Sequence, residues 1–164
     1  MVFVTVGTHE QPFDRLIKYI DELKGNDEIM EEVIIQTGFS TYEPKYCICK
    51  KLFSYQEMIE KIKDARMVIT HGGPSSFLIP LQMGKIPIVV PRQKQFGEHV
   101  NNHQVDFARA VSERQGTIIV VEDISELKDT LLNYDKLILK KSAGMVTNNQ
   151  RFNTELKKII EDMF

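Results

Sequence analysis

The chain has 164 residues, of which 27% are charged and 42% apolar, enough for one domain with a sizeable core and an ordinary soluble composition. Its formal charge of −2 argues against a general nucleic-acid binder, whose binding face is basic, and no nucleic-acid partner is expected. No apolar run approaches the ~20 residues that span a bilayer, and the opening Met-Val-Phe-Val-Thr-Val-Gly reads as a strand rather than a secretory leader. A cytoplasmic protein is the expectation.

Residues 2–6 are apolar and β-branched and are stopped by Gly7-Thr8-His9. That is a strand followed by a loop. Pro12 suits a first helical turn, and Phe13, Leu16, Ile17, Ile20 and Leu23 follow helical spacing, so the pattern predicts an amphipathic helix over 12–24, ended by Gly25-Asn26. Strands are expected over 32–37 and 46–53. Cys47 and Cys49 would share a face of the latter, without the further ligands of a metal quartet, and read as a reduced pair. Ser54 with Glu57 forms a capping box ahead of a helix whose apolar face is Met58, Ile59, Ile62 and Ala65.

Two further strands follow, Met67-Val68-Ile69 and residues 86–90, separated by a helix over 74–83 that Pro80 should kink or shorten. Val100, Val105, Ala108 and Val111 predict a helix over 99–115, and a sixth strand over 117–121 follows. Ser125 and Lys128 begin a short helix carrying Leu127, Leu131 and Leu132. A looser stretch over 140–147 precedes a last helix with Phe152, Leu156, Ile159, Ile160 and Met163 on one stripe. Strands alternating with helices indicate an α/β domain with a doubly wound parallel sheet of about six strands, Rossmann-like, spanning 1–164.

In such a sheet the loops at the carboxyl ends of neighbouring strands bind ligands. Three loops qualify. The loop His71-Gly72-Gly73-Pro74-Ser75-Ser76 joins a strand to a helix. Its glycines let a ligand approach the backbone, its serines add hydroxyls, and free amides at a helix start suit a diphosphate. Glycine spacing alone does not assign phosphate, because any tight strand-to-helix turn shares it. There is no Gly-Lys-Ser/Thr, no dinucleotide fingerprint at Gly7 and no Gly-x-Ser-x-Gly elbow. Gly7, Thr8 and His9 lie in the first-strand loop, where Thr8 and His9 could face the same crevice; a plain turn with a solvated histidine is the reading the residues alone favour. The third loop runs from Pro91 through Arg92, Phe96 and Glu98 to His99, Asn102, His103 and Gln104. His99 and His103 stand four apart without the flanking pattern of a zinc helix, so no metal is expected. Their mix with amides fits hydrogen bonds to a sugar or ribose better.

These motifs together (strand, His-Gly-Gly-x-x-Ser, helix, Gly-Lys-x-Pro-x-Val-Val-Pro, loop, His-Gln) resemble the carboxyl-terminal, donor-binding half of GT-B glycosyltransferases of the MurG type. Over nearly its whole length the chain resembles the small subunits of split glycosyltransferases: the Alg-type N-acetylglucosamine transferase subunit and its bacterial relatives in capsule and exopolysaccharide synthesis. The resemblance implies a UDP-sugar donor, with Gly73, Ser75 and Ser76 near the diphosphate, Thr8 and His9 beside it, and His103 and Gln104 near the donor sugar and phosphates. It places uracil at the backbone of residues 53–56. It implies no cofactor; His9 is the local candidate for a general base, with the partner as the other source.

One departure stands out. The glutamate that binds ribose in MurG-like enzymes is replaced by Ile79, followed by Pro80, and Glu98 is the nearby substitute. A GT-B site lies between two domains. The acceptor half is therefore expected from a membrane-anchored partner subunit that recruits this chain to the inner face of the membrane. The acceptor is expected to be a lipid-linked saccharide. The last helix, ending in Met163-Phe164, is a candidate docking surface, with packing on its own sheet as the alternative. A non-catalytic partner subunit supporting another glycosyltransferase is the rival reading of the whole chain.

Overall fold

The computed structural model describes residues 1–142 and 149–163. Its strands are β1 Val2–Thr5, β2 Val33–Gln36, β3 Ile48–Lys50, β4 Met67–His71, β5 Ile88–Val90 and β6 Ile119–Val120. All pair in parallel, in the order β3–β2–β1–β4–β5–β6. Val2 lies between Val33 and Met67, and Thr5 between Gln36 and Thr70. The chain winds outward in one direction from β1 and in the other from β4, so the switch point falls between them. The expected doubly wound α/β sheet is what the chain forms.

The helices are α1 Asp14–Gly25, α2 Tyr55–Asp64, α3 Pro74–Gln82, α4 His103–Gln115, α5 Leu127–Leu132, α6 Tyr134–Ser142 and α7 Asn149–Met163. Both faces of the sheet are covered. Val2, Val4, Ile35, Ile69 and Ile88 pack with Leu16, Ile17 and Ile20 of α1 and with Leu127, Leu131 and Tyr134. On the other face Phe3, Ile34 and Val68 meet Ile62 of α2, and Val89 meets Phe77, Leu81, Phe107 and Val111. Two-sided burial is why the central strands read as unbroken apolar runs.

Several boundaries differ from the sequence pattern. Pro12 lies ahead of α1, because the Phe13 amide donates to Ser40 Oγ and the Asp14 carboxylate accepts from the Thr41 and Tyr42 amides. β3 is three residues long, not eight, and all three are exposed on the sheet edge. The Ser54–Glu57 capping box forms. Pro80 sits inside α3, which runs on two residues beyond it to Gln82. The 99–115 helix begins only at His103, and Val100 is exposed. Ahead of it His99 Nδ1 faces the Asn101 amide, and Asn101 Oδ1 accepts from the His103 amide, local turns that replace the first helical turn.

α6 has no counterpart in the sequence pattern; it is pinned by the buried Tyr134 hydroxyl, which donates to the Ile86 carbonyl at 2.8 Å. Leu132, expected on the short helix's apolar face, is exposed. Leu156 and Ile159 of α7 are buried against Phe107 and Val111 of α4, which is the self-packing alternative for those two positions. Phe152, Met163 and Phe164, and the 143–147 part of the looser stretch, lie outside the described side chains. Cys47 and Cys49 are free thiols. No described helix is long and apolar enough to cross a membrane.

Candidate functional site

The loops after β1, β4 and β5 meet at the switch-point rim, where doubly wound sheets bind ligands. Gly7 follows β1 with φ +75°, a left-handed conformation that glycine adopts without strain. Its amide donates to Thr5 Oγ1 at 3.2 Å, and Thr5 Oγ1 also accepts from Gln36 Nε2 at 3.1 Å. Thr8 is exposed and His9 half-buried beside it.

The buried His71 imidazole ends β4 and occupies the middle of the rim. A Cβ on Gly7 would overlap its Nε2, and a Cβ on Gly73 would overlap its Cε1. A Cβ on Gly72 would lie 2.7 Å from Gln104 Cβ. The glycines of both loops therefore make room for the protein's own side chains, where the sequence suggests room for a ligand. Their amides are also engaged. Gly72 N–H donates to Gln104 Oε1 at 3.0 Å, and Gly73 N–H to His71 Nδ1 at 3.0 Å. Ser76 N–H donates to the Gly73 carbonyl at 3.0 Å. Pro74 opens α3 and has no amide hydrogen. The turn thus presents the Ser75 amide, the exposed Ser75 hydroxyl and the half-buried Ser76 hydroxyl. Burial first, and then the Arg92 guanidinium, push His71 from the ordinary 6.5 down to about 3. The ring is neutral near neutral pH.

Gln104, in the first turn of α4, fastens two loops with one oxygen. Oε1 accepts from Gly72 and, at 3.1 Å, from the Arg92 amide. That oxygen, expected near the donor sugar, is turned to the backbone. Arg92 is fully buried. Its Nη1 donates to the Gln11 carbonyl at 2.7 Å and the Glu98 carbonyl at 3.2 Å, and its Nη2 to the Val6 carbonyl at 2.7 Å. Burial lowers Arg92 to about 10, against the opposing pull of Glu98, and the group remains charged at neutral pH. Glu98 is only 3% exposed. Its carboxylate accepts from Arg15 Nε at 2.7 Å and Nη2 at 3.0 Å, and from the Gln93 amide at 3.0 Å. Ribose recognition by Glu98 would first have to break that paired contact. Arg92 and Glu98 act inward, on the crevice scaffold.

His9 and His99 lie ring against ring, with centroids 4.8 Å apart. His9 Nδ1 accepts from the Gln11 amide at 3.1 Å, and His99 Nδ1 faces the Asn101 amide at a longer 3.4 Å. With its Nδ1 lone pair held by the Gln11 amide, His9 turns Nε2–H, a donor, to its surroundings. Burial first, then His9, lowers the pKa of His99. Gly72, Gly73, Pro74, His99, His103, Gln104 and others line an open cleft of about 410 Å³. Asn102 sits outside it: its Oδ1 accepts from the Lys94 amide at 2.9 Å. Phe96 is 53% exposed, with the Arg15 guanidinium 4.6 Å from its ring centre. At residue 53, where the resemblance leads one to expect uracil, the Phe53 amide donates to Gln36 Oε1 at 2.9 Å. Among the described residues no group of three His, Cys, Asp or Glu is placed to hold a metal ion.

Sequence reasoning missed Arg15 and Gln36, which brace this rim. Their signal was faint: a charged residue early in an amphipathic helix and a polar residue closing an apolar strand.

The family model of the glycosyltransferase family 28 C-terminal domain matches residues 1–163. The chain belongs to this family. The resemblance read from the motifs is thus the relationship found. The chain is 33% identical over 117 residues to the human (Homo sapiens) UDP-N-acetylglucosamine transferase subunit ALG13, covering 66% of this chain and 10% of that protein. It is 32% identical over 119 residues to the Mus musculus protein of the same name, covering 65% and 9%. It therefore spans about a tenth of the length of the curated relatives it matches. Among solved structures, the glycosyltransferase SnogD from Streptomyces nogalater superposes with a TM-score of 0.58 at 18% identity, covering 99% of this chain and 39% of that one. The glycotransferase of kitacinnamycin gives 0.59 at 12% identity, covering 86% and 38%. These two share the fold, the Rossmann-like carboxyl-terminal half of the GT-B architecture.

Proposed function

We propose that this family 28 domain binds the UDP-sugar donor of a glycosyltransferase and works as one half of a complex. The carrying observation is that the loops after β1, β4 and β5 meet at the sheet's switch point: His9 lies against His99, which lines the cleft of about 410 Å³ with Gly72, Gly73 and Pro74, and Gly7 and Ser76 both lie against His71. In this reading the diphosphate lies at the start of α3. The Ser75 amide, both serine hydroxyls and the positive end of the helix meet its oxygens. The Nε2–H group of His9 adds a donor beside it, next to the His99 ring. Preorganised donors of this kind stabilise charge as it develops on the departing UDP. Because the His9 lone pair is held by the Gln11 amide, the base that deprotonates the acceptor comes from the facing half.

That half belongs to a membrane-anchored acceptor-binding subunit, which brings the cytoplasmic chain to the inner face of the membrane. The acceptor is a lipid-linked saccharide, a hexose is transferred, and the product feeds a capsule or exopolysaccharide. The word "subunit" in the relatives' names supports a partner. The motif resemblance to bacterial split enzymes supports the polysaccharide context.

Titration of the chain, alone and with its co-purified partner, against UDP, UDP-glucose, UDP-galactose and UDP-N-acetylglucosamine tests this. Saturable binding with one preferred sugar is the expected result. Absence of any saturable binding favours the second reading, a non-catalytic supporting subunit. One observation favours that reading: Ile79 stands where a ribose-binding carboxylate is expected, and Glu98 is paired with Arg15.

A further inference from the structure

His71 makes more contacts than holding a turn requires. Its Nδ1 accepts from the Gly73 amide at 3.0 Å, so the one proton of the neutral ring sits on Nε2. Nε2 lies 2.8 Å from Ser76 Oγ. A ring N–H in that place donates, the serine oxygen accepts, and the hydroxyl proton is directed away from the ring. The alternative tautomer would put a proton between Nδ1 and Gly73 N–H, donor against donor. Gln104 Oε1, 3.4 Å from Nδ1, already accepts from Gly72 and Arg92. The ring has no room to turn, since Gly7 and Gly73 press on it so closely that a Cβ on either would overlap it. Burial keeps it uncharged.

We propose that His71 is a positioning residue that fixes the Ser76 hydroxyl as an outward donor, selecting an acceptor-only ligand group, a phosphate oxygen, at the start of α3. This rests on the reading above that the turn receives a diphosphate. A free serine hydroxyl meets donors and acceptors equally well. One that accepts from His71 and aims its proton outward favours phosphate over a donor-only group such as an ammonium, and does so independently of pH above the range in which His71 titrates.

Two measurements decide it. The first is the ¹⁵N spectrum of the ligand-free, full-length chain with labelled histidine. His71 should show a protonated Nε2 and an unprotonated Nδ1, unchanged from pH 8 to pH 5. A protonated Nδ1 overturns the proposal whatever the variants do. The second is calorimetric titration with UDP and with inorganic pyrophosphate. Ser76→Ala and His71→Asn should each weaken binding about five-fold, the worth of one hydrogen bond. The double variant should lose no more than either alone. His71→Gln, whose amide reaches the Nε2 position, should keep most of the affinity. A product of losses, roughly 25-fold in the double variant, would show independent action and overturn the relay alone. A wild-type chain that binds neither UDP nor pyrophosphate overturns the diphosphate reading, and the relay with it. Should the His71 variants fail to fold, the tautomer in the wild-type chain decides between the two outcomes.

Discussion

Arg92 Nη2 donates to the Val6 carbonyl at 2.7 Å, joining residues 86 positions apart. One buried guanidinium thereby ties the loop after β5 to the end of β1, and through Nη1 to Gln11 and Glu98. Arg92→Met would keep much of the volume and leave three carbonyls without this donor. Each buried orphan costs about 1–3 kcal/mol, so a loss of about 3 kcal/mol or more is expected in urea denaturation. A variant within 1 kcal/mol of wild type would mean that the guanidinium does not hold the rim together.

Gly73→Ala tests who occupies the space at the glycines. The added methyl group would collide with His71 Cε1. The backbone at Gly73 has φ −71°, which any residue adopts, so the collision and not strain carries the effect. Overpacking of this kind costs about 1–3 kcal/mol. A fall in thermal midpoint is expected even with no ligand present. If Gly73→Ala left the ligand-free stability unchanged and weakened only nucleotide binding, the glycine would be serving the ligand instead.

Stability should fall as the solution is acidified below pH 6.5. Unfolded, His71 titrates near 6.5; folded, it titrates at about 3. Between those values the unfolded chain binds one more proton, so folding weakens by about 1.4 kcal/mol per pH unit as pH drops. His99 is shifted in the same direction, by burial and then by His9, and steepens the upper part of the window. Urea midpoints at pH 7, 6 and 5 give the slope, and His71→Gln should flatten it. A stability that stays level from pH 7 to pH 5 in the wild-type chain contradicts a buried neutral His71.

Away from the rim, Asp21 of α1 is fully buried. Its carboxylate accepts from the Lys45, Tyr46 and Cys47 amides at 2.8, 2.8 and 3.1 Å and from the Tyr42 hydroxyl at 2.9 Å. Burial alone would raise its pKa; these bonds together hold it below the ordinary value. Asp21→Asn would set an amide NH₂ against backbone N–H groups. A loss of about 2–3 kcal/mol is expected, read by denaturation at pH 7. It should shrink at low pH, because the wild-type carboxylate stabilises the fold only while it is ionised and its contribution fades as pH drops through its lowered folded value. An equal difference between the two proteins at pH 7 and pH 3 would contradict this.

The chain's own order of residues settled the architecture. Residues 2–4, 33–35 and 67–69 are apolar because both faces of their sheet are covered, and that pattern is local. The Ser54–Glu57 box and the proline opening α3 are equally local, and each was legible. So were the loops that gather at the rim, since strand ends and turn residues mark them. Only the folded chain decided what those loops do with their atoms. His71 and Gln104 fill the space beside the glycines, Arg92 reaches back to Val6, and Glu98 turns to Arg15, 83 residues away. Such contacts join distant positions and leave no periodicity in the sequence. The late start of α4 has the same origin in side-chain bonds, at Asn101 and Asn102, that compete with a helical turn the apolar spacing alone would favour.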